Sequence, residues 1–261
     1  HILYLTYDGI SDPLGQSQVL PYIHGLNKSS NLQFTIISFE KSKNSEKIKE
    51  LQDELFSSNV NWIKLKYRKN PPIISTLYDL FLLFLTVKKL LKIQKVDLLH
   101  CRSYLTTIVG QKIKKKIGIP FIFDMRGFYA DERIDGKIWN KNHFIFKYVF
   151  KYFKIKERQF LQLSNHTISL TRSGKKEIQS WELPNLSPIT IIPCCTDETL
   201  FKKENIKDIR NELNIKESDF IISYVGSIGT WYMIDEMLDF FKILLQKKPN
   251  SKFLFITKDN P

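Results

Sequence analysis

Residues 1–27 read HILYLTYDGISDPLGQSQVLPYIHGLN, and this opening stretch sets a pattern that the rest of the chain repeats. The run Ile2–Tyr7 is composed of β-branched, aromatic and other apolar residues, which predicts a strand buried on both faces. A loop containing Gly9 and Gly15 follows, and Gln16–Asn27 has a helical pattern. Buried strand, glycine-containing loop and helix together form the repeating unit of α/β proteins.

The same alternation continues along most of the chain. Further strands are predicted at Gln33–Phe39, Asn61–Leu65, Asp97–His100, Phe121–Asp124, His166–Leu170, Thr190–Ile192, Phe220–Val225 and Lys252–Thr257. Further helices are predicted at Ser45–Ser57, Ile74–Gln94, Thr106–Ile117, Phe144–Leu163, Ser173–Trp181 and Ile234–Lys247. Strands and helices in alternation are joined by right-handed crossovers into a mostly parallel sheet. The sequence therefore predicts an α/β fold with a Rossmann-like, doubly wound sheet.

The alternation is interrupted between Pro193 and Ser218, where a charged segment replaces the apolar runs. A new strand then starts at Phe220 and leads into a second glycine-containing turn. We assign residues 1–192 to one Rossmann-like domain, 193–218 to an interdomain crossover and 219–261 to the start of a second Rossmann-like domain. Because the chain begins and stops on apolar strands, we expect it to be a piece of a longer protein.

The charge balance is the unusual feature of the composition, since 40 Lys and Arg against 27 Asp and Glu give a net charge of +13. Such an excess indicates an anionic partner: a nucleic acid, an acidic membrane surface or a phosphorylated substrate. Alternatively, the lysines simply solvate exposed helix faces. The three cysteines include the adjacent pair Cys194 and Cys195 and no C-x-x-C motif, which argues against disulfides and zinc and favours a reducing cytosol.

Two apolar or aromatic stretches of the sequence bear on whether the protein contacts a membrane. The most apolar stretch, Leu80–Val87, is far shorter than the roughly 20 residues that span a bilayer, and no signal peptide is expected. The predicted helix Phe144–Leu163 combines aromatic residues with lysines such as Lys147 and Lys151. Its apolar face suits a protein core, but a basic, aromatic-rich helix also suits an anionic membrane surface.

Ligands of open α/β sheets bind outside the carboxyl ends of the strands, so the loops there are the candidate sites. The first is Asp8–Gln18, in which Gly9 and Gly15 are expected to allow sharp turns and the following helix offers free N–H groups to an anion. No G-x-G-x-x-G or G-x-x-x-x-G-K-[ST] pattern occurs, which argues against a dinucleotide or P-loop site. The simpler alternative is a long connecting loop without a ligand.

Charged residues follow two later strands. His100 and Arg102 end one of them, where they can bind a phosphate or a sugar hydroxyl, although a strand-end histidine is often a satisfied core residue. The richest loop, 123–136, contains Asp124, Arg126, Asp131 and Glu132. Because clustered charges cost desolvation energy unless they are paired, this loop predicts a functional site, with ion pairing among Asp124, Arg126 and Asp131 as the structural alternative.

Two more strand ends lead into helices. Arg172 and Ser173 precede a helix whose N-cap we predict to be Ser173, and capping alone would explain that residue. Gly226 and Ser227 follow a strand of the second domain and are suited to backbone contact with a phosphate.

In this order, the five loops resemble those of GT-B-fold glycosyltransferases of the large retaining group often called glycosyl transferases group 1, which are family 4-like. The segments that match best are YDG…LGQSQ at 7–18, IPCCTD…LF at 192–201 and YVGS at 224–227. The resemblance covers essentially the whole chain, and its ordered set of motifs is more specific than any one of them.

The resemblance implies an acceptor held by the first domain, a UDP- or GDP-sugar held mainly by the second, and transfer with retention of configuration and without a metal. On this basis the catalytic residues are Asp124 and Arg126. The donor-binding residues are Gly15, Gln16, Arg172, Ser173, Gly226 and Ser227. The acceptor-binding residues are Asp8, His100, Arg102, Asp131 and Glu132.

The chain departs from the family pattern at three points. Arg126 falls where the family commonly has a histidine; it is no base at neutral pH but can anchor an anionic acceptor or a leaving phosphate. Beyond Gly226 the usual Arg and Lys are missing, and Trp231 and Tyr232 occupy the Lys position. The paired glutamates that recognise the donor would lie past the end of the chain, so the fragment alone is expected to bind donor poorly.

The leading hypothesis is sugar transfer to a lipid-linked or polysaccharide acceptor during bacterial assembly of capsule, O-antigen or exopolysaccharide. The protein would then work in the cytoplasm, in peripheral contact with the inner face of an anionic cell membrane. The alternatives are another GT-B-fold enzyme, such as a sugar-nucleotide epimerase, and a basic nucleic-acid-binding module without activity. Against the module, no nucleic-acid motif is found and the basic residues are dispersed over many helices.

Overall fold

The computed structural model describes residues 1–42, 44–140, 142–196, 209–229 and 232–259. Its strands are β1 (Ile2–Thr6), β2 (Phe34–Glu40), β3 (Val60–Lys66), β4 (Leu98–Arg102), β5 (Phe121–Met125), β6 (His166–Ser169), β7 (Ile189–Ile191), β8 (Phe220–Val225) and β9 (Ser251–Ile256). Its helices are α1 (Pro13–Gln18), α2 (Leu20–Ser29), α3 (Ser45–Ser57), α4 (Ile74–Ile93), α5 (Ser103–Ile117), α6 (Tyr129–Asp135), α7 (Phe144–Leu163), α8 (Arg172–Ser180) and α9 (Ile234–Lys247).

Seven strands form one parallel sheet in the order β3-β2-β1-β4-β5-β6-β7. The chain runs from β1 outward to β3 and then crosses back to place β4 on the other side of β1. This reversal is the topological switch point of a doubly wound fold, where the loops after β1 and β4 diverge and leave a crevice. The predicted Rossmann-like fold is therefore confirmed.

Apolar packing on both faces explains the continuous apolar strands. On one face α2 and α3 cover a cluster that includes Tyr4, Ile23 and Leu55. Leu5 and its neighbour Cys101 point to the opposite face, because successive strand residues alternate. There α5 approaches β4 so closely that a Cβ on Gly110 would lie 2.4 Å from the Cys101 sulfur. α5 also packs against α4 on one side and α7 on the other.

Two predicted elements differ from the structure. The helix predicted at Gln16–Asn27 is divided at Val19 into α1 and α2, because Pro21 lies in the first turn of α2, where a missing N–H is tolerated. α6 occupies part of the stretch predicted as the loop 123–136. Its first turn contains Asp131 and Glu132, and their negative charges stabilise a helix N-terminus.

The chain divides into two compact units, His1–Glu132 with Lys141–Thr196, and Arg133–Asn140 with Asp197–Pro261. In the second unit β8 and β9 pair in parallel and are joined through α9, so this unit contains one β-α-β motif. The Phe241 and Phe253 rings pack 5.2 Å apart between the helix and the strand. Much of the predicted crossover, residues 197–208, lies outside the described residues.

Candidate functional site

The candidate site lies at the switch point of the first unit, where three neighbouring strands end together. The strand register places Thr6 of β1 beside Arg102 of β4, and Arg102 beside Asp124 of β5. Asp8 follows β1 by two residues and Arg126 follows β5 by one, so their side chains reach the same edge of the sheet. The structure thus brings together five residues that were predicted on three separate loops: Asp8, His100, Arg102, Asp124 and Arg126.

Asp124 is the centre of this group and is 4% exposed. One carboxylate oxygen lies 3.2 Å from His100 Nε2 and 3.9 Å from Arg102 Nη1, and the other lies 3.4 Å from Arg126 Nη1. Burial raises the pKa of Asp124, but the hydrogen bond and charge of His100 and the charges of both arginines outweigh it. The net pKa lies below the ordinary value of 3.8, so Asp124 is an anion at neutral pH.

The two arginines share one partner, the side-chain oxygen of Gln18. Arg102 Nη2 donates to it at 3.1 Å and Arg126 Nη2 donates at 2.8 Å, while Arg102 Nε donates to Asp8 at 3.4 Å. Arg102 is 3% exposed, and its Nη1 has no hydrogen-bond partner among the described residues. The group therefore holds one buried N–H that makes no hydrogen bond, and a buried donor left unpaired is costly. Gln18 ends the first candidate loop but was not among the predicted site residues.

The proline-centred segment of the resemblance borders this group. Arg126 Nη2 lies 3.4 Å from the Cys194 sulfur, and the Tyr22 hydroxyl donates to the Pro193 carbonyl at 3.1 Å. The Cys195 sulfur lies 2.9 Å from the same hydroxyl. Burial, followed by the hydrogen bond with Cys195, raises the pKa of Tyr22 to about 12. The segment thus helps to hold Arg126 in place.

The first loop is shaped by close backbone packing. A Cβ on Gly15 would lie 2.2 Å from the Gly9 carbonyl oxygen, so only glycine allows α1 to approach this loop. Neither Gly9 nor Gly15 has a positive φ, so the sharp turns expected of them are not the reason for glycine here. Gln16 Nε2 donates to the Ile10 carbonyl at 2.8 Å, which ties the helix to the loop.

Glu40, at the end of β2, anchors the same loop and was missed in the sequence. Its carboxylate accepts from Ile10 N at 2.8 Å, Ser11 N at 3.1 Å, the Ser11 hydroxyl and the Ser38 hydroxyl. A glutamate directly after the buried strand run was the available signal, because burial of a carboxylate requires hydrogen-bond donors.

The acidic residues of α6 form a separate group. Asp131 lies 2.7 Å from Lys154 Nζ, and Lys154 lies 2.6 Å from the fully buried Glu157. Burial raises the pKa of Glu157, against the opposing hydrogen bonds from Lys154 and Tyr104. The predicted ion pair of Asp124 with Arg126 is confirmed at 3.4 Å, but the inclusion of Asp131 in it is wrong, because α6 turns Asp131 toward Lys154 of α7. Glu132 fills the space beside Gly127, whose φ of +153° also requires glycine.

Arg172 and Ser173 form the exposed first turn of α8. The predicted N-cap, Ser173, is wrong: the cap is Thr171, whose hydroxyl accepts from Gly174 N at 2.9 Å. Thr171 has the extended backbone that a cap requires, whereas Ser173 is already helical. The Ser173 hydroxyl is thus free of the capping role.

In the second unit, Gly226 has a φ of +154°, a conformation that side chains rarely adopt. The turn after it is closed by the Tyr224 hydroxyl, which donates to the Ser227 carbonyl at 2.7 Å, and by Ile228 N, which donates to Asp259 at 2.8 Å. Of the residues predicted to replace the missing lysine, Trp231 lies outside the described residues.

Neither a metal centre nor a membrane span is found in the part of the chain that the structure describes. No group of three His, Cys, Asp or Glu residues there is arranged to hold a metal ion. In the same ranges, no helix combines the length and the apolar character needed to cross a membrane.

A family model described as Glycosyltransferase Family 4 matches residues 28–200, which is more than half of the 261 residues. The chain belongs to Glycosyltransferase Family 4. Within this family 4 chain, the matched region includes β2 through β7 and therefore the strands that carry His100, Arg102 and Asp124. A comparison with curated protein sequences finds no match.

Solved structures with the same fold include sucrose-phosphate synthase from Thermosynechococcus elongatus, at 14% identity and a TM-score of 0.68 over 100% of this chain and 63% of that one. Anabaena HepE, in complex with UDP and glucose, has 12% identity and a TM-score of 0.57 over 98% and 69%. UDP-GlcNAc 2-epimerase from Neisseria meningitidis, bound to UDP-GlcNAc, has 14% identity and a TM-score of 0.58 over 100% and 67%.

At these identities the likeness shows the fold alone, which is the Rossmann-like fold of GT-B proteins. The family 4 chain spans less than two thirds of the length of sucrose-phosphate synthase.

Proposed function

We propose that the complete protein is a glycosyltransferase that moves a sugar from a UDP- or GDP-sugar to an acceptor held by the first unit. Membership of family 4 supports sugar transfer. Two proteins that share the fold have been solved with UDP or UDP-GlcNAc, which supports a nucleotide-sugar donor. The donor-side residues in this proposal remain Gly15, Gln16, Arg172, Ser173, Gly226 and Ser227.

The observation that carries the proposal is the arrangement of the two arginines around Asp124 and Gln18 at the switch point. Arg126 is partly exposed, and Arg102 retains an unpaired N–H. Two guanidinium groups fixed in a largely buried site bind phosphate or carboxylate oxygens with little reorganisation. Such fixed cations stabilise negative charge that develops on a leaving diphosphate or on an anionic acceptor.

Asp124 acts in this proposal as a positioning carboxylate. Its lowered pKa keeps it ionised at neutral pH and makes it a poor proton acceptor. Its three contacts instead fix the orientation of His100, Arg102 and Arg126. Arg126 is then the residue that contacts the reacting phosphate or the acceptor, and His100 and Asp8 line the acceptor side.

The finer features of the proposal rest on the sequence resemblance. They are retention of anomeric configuration, no need for a metal, a lipid-linked or polysaccharide acceptor of bacterial surface glycans, and work in the cytoplasm. Asp131 and Glu132 belong to the acceptor side in this proposal, although Asp131 pairs with Lys154 rather than with the switch-point group.

The proposal is tested with the full-length protein and a panel of UDP- and GDP-sugars, with release of free nucleotide and formation of a glycosylated product as the readout. We expect at least one donor to be turned over without added metal. Absence of turnover across the panel, with a folded protein and lipid-linked and glycan acceptors supplied, would refute sugar transfer.

A sugar-nucleotide epimerase is the second candidate, because two epimerases share the fold at TM-scores of 0.58. The family match favours the transferase. The same panel separates the two, since an epimerase changes the configuration of the donor sugar without an acceptor and releases no glycosylated product.

A further inference from the structure

The outer layer formed by α4, α5 and α7 has an uneven distribution of charge. Only two acidic residues occur on these three helices, Asp79 and Glu157, and both are fully buried. The basic residues of the layer are Lys88, Lys89, Lys92, Lys112, Lys114, Lys115, Lys116, Lys147, Lys151, Lys154, Lys156 and Arg158. The surface that this layer presents is therefore positive, with no exposed carboxylate of its own.

On α4 the exposed stripe changes character along the helix axis. Its amino-terminal half exposes the apolar residues Ile74, Leu77, Tyr78, Phe81 and Leu85, which recur at helical spacing on one side. Its carboxyl-terminal half continues the same stripe with Lys88, Lys89 and Lys92. Leu80, Leu83 and Val87 are the buried apolar residues of α4, which packs against α5, so the exposed apolar residues lie outside this packing.

On α7 aromatic residues and lysines alternate over the exposed side. Phe144, Tyr148, Tyr152 and Ile155 project outward, and Tyr148 is 73% exposed. Lys147 and Lys151 flank this stripe. The core side of the helix is formed by Phe153, Phe160 and Leu161, so α7 has a second apolar side that the first unit leaves uncovered.

We propose that the outer surface of α4 and α7, together with the lysines of α5, docks on an anionic lipid bilayer. A helix that exposes aromatic and aliphatic residues between lysines lies at a membrane interface with its apolar side in the headgroup region. The surrounding lysines complement the negative surface potential of anionic lipids. A nucleic acid would explain the charge but not the exposed aliphatic residues. A second copy of this surface would bring like charges together.

The surface is also oriented toward the candidate site. Helices of a parallel α/β sheet run antiparallel to the strands, so their amino-terminal halves lie near the carboxyl edge of the sheet. The apolar halves of α4 and α7 are thus near the edge that holds Arg126 and Asp124. Docking does not depend on the proposed sugar transfer, because it concerns a surface outside the site.

The test is sedimentation of the full-length protein with vesicles of phosphatidylcholine alone or with one third phosphatidylglycerol, at physiological ionic strength. We expect binding to the anionic vesicles that weakens at higher salt. The double variant Lys147→Glu/Lys151→Glu should lower the partition coefficient by at least roughly 30-fold, because each lost lysine costs about 1 kcal/mol and the two glutamates are also repelled by the anionic lipid. The double variant Phe144→Ser/Tyr148→Ser should also weaken vesicle binding, and this loss should persist at high salt because it removes apolar rather than charged contacts.

Matched controls lie on the opposite face of the sheet, on α3. Lys49→Glu changes an exposed lysine there, and Phe56→Ser removes an aromatic ring that is 80% exposed. Both should bind vesicles as the unchanged protein does, and circular dichroism should show all variants folded. Equal loss in control and test variants, or no preference for anionic vesicles, would overturn the proposal. Salt-sensitive RNA binding or self-association without vesicle binding would overturn it as well.

Discussion

Two arginine–aspartate pairs of the first unit both contain a buried carboxylate, but they differ in the number and length of the hydrogen bonds that their charged groups make. In the pair of Arg68 and Asp79, the fully buried carboxylate accepts from Arg68 Nη1 at 2.7 Å, from Arg68 N at 3.1 Å and from the Tyr7 hydroxyl at 3.1 Å. In the pair of Arg126 and Asp124, the corresponding contact is 3.4 Å, and Arg102 Nη1 lies 3.9 Å away without a hydrogen bond.

The difference separates a structural pair from a candidate binding site. Asp79 has short contacts from every side, so nothing is left for a ligand. At Asp124 two cations and a histidine surround one carboxylate at longer distances, and a buried N–H remains to be paired. In both pairs a buried carboxylate lies beside a positively charged arginine. Of the two, only the group around Asp124 has a buried guanidinium N–H without a hydrogen bond to any described residue.

The largest expected effect comes from Arg126→Ala in the full-length protein. Loss of one fixed donor to developing negative charge costs about 100- to 1,000-fold in kcat. The melting temperature should change little, because Arg102 still lies beside Asp124 and His100 still lies within hydrogen-bond distance of it. Steady-state kinetics with the best donor and thermal melting measure the two effects.

Arg68→Ala is the matched control for that experiment. We expect its activity per folded molecule to be unchanged, with a lower melting temperature. A larger loss of activity in Arg68→Ala than in Arg126→Ala would reverse the assignment of the two pairs.

Asp79→Ala should cause a substantial loss of stability. It removes the carboxylate that holds Arg68 and Tyr7, and breaking a buried pair costs about 3 kcal/mol. Arg68 is partly exposed and can be rehydrated, which keeps the loss at the lower end of the usual range. Urea unfolding measures it, and a change below about 1 kcal/mol would contradict a structural role.

Glu40→Gln tests a third buried carboxylate, which accepts hydrogen bonds only from neutral donors. Its NH2 group would face a backbone N–H or a hydroxyl, so we expect a loss of about 1–3 kcal/mol. Glu50→Gln on the surface of α3 is the control and should stay within about 0.5 kcal/mol. If the two variants unfold at the same urea concentration, Glu40 does not anchor the first loop.

The smallest effect concerns pH. Because the pKa of Asp124 is lowered in the folded state, its contribution to stability is fully present above its ordinary pKa of 3.8. That contribution is lost as the pH falls through the lower folded value. The stability difference between the unchanged protein and Asp124→Asn should therefore shrink below about pH 4. Urea unfolding across this range measures it; a difference that grows on acidification would contradict a lowered pKa.

Strands and most helices could be predicted, because they depend on local patterns of apolar residues. α3, α7 and α9 have the predicted bounds, and the division at Val19 was missed although Pro21 marked it. The candidate site was predicted only as separate strand ends. Their convergence depends on strand order: Gln18 is 84 positions from Arg102 and 108 from Arg126.

The ion-pair partners of the charged residues in the loop 123–136 were harder to predict than the clustering of those residues in the sequence suggested. Asp131 stands five residues after Arg126, but α6 turns it toward Lys154 on the next helix. Whether a loop folds as a helix decides which side its carboxylates face, and short helices have weak local signals. Glu40 was overlooked because it directly follows the predicted strand Gln33–Phe39 and belongs to no recognisable motif.

The amide of Gln18 has one further consequence. Both guanidinium groups donate to its oxygen, so its NH2 must point away from them, and the orientation of the amide is unambiguous. Gln18→Glu keeps the shape and puts a full negative charge between the arginines. We expect it to weaken inorganic pyrophosphate binding, measured by calorimetry, at unchanged melting temperature. The introduced carboxylate would thus mimic the negative charge of pyrophosphate and compete with it, from within the protein, for the two arginines.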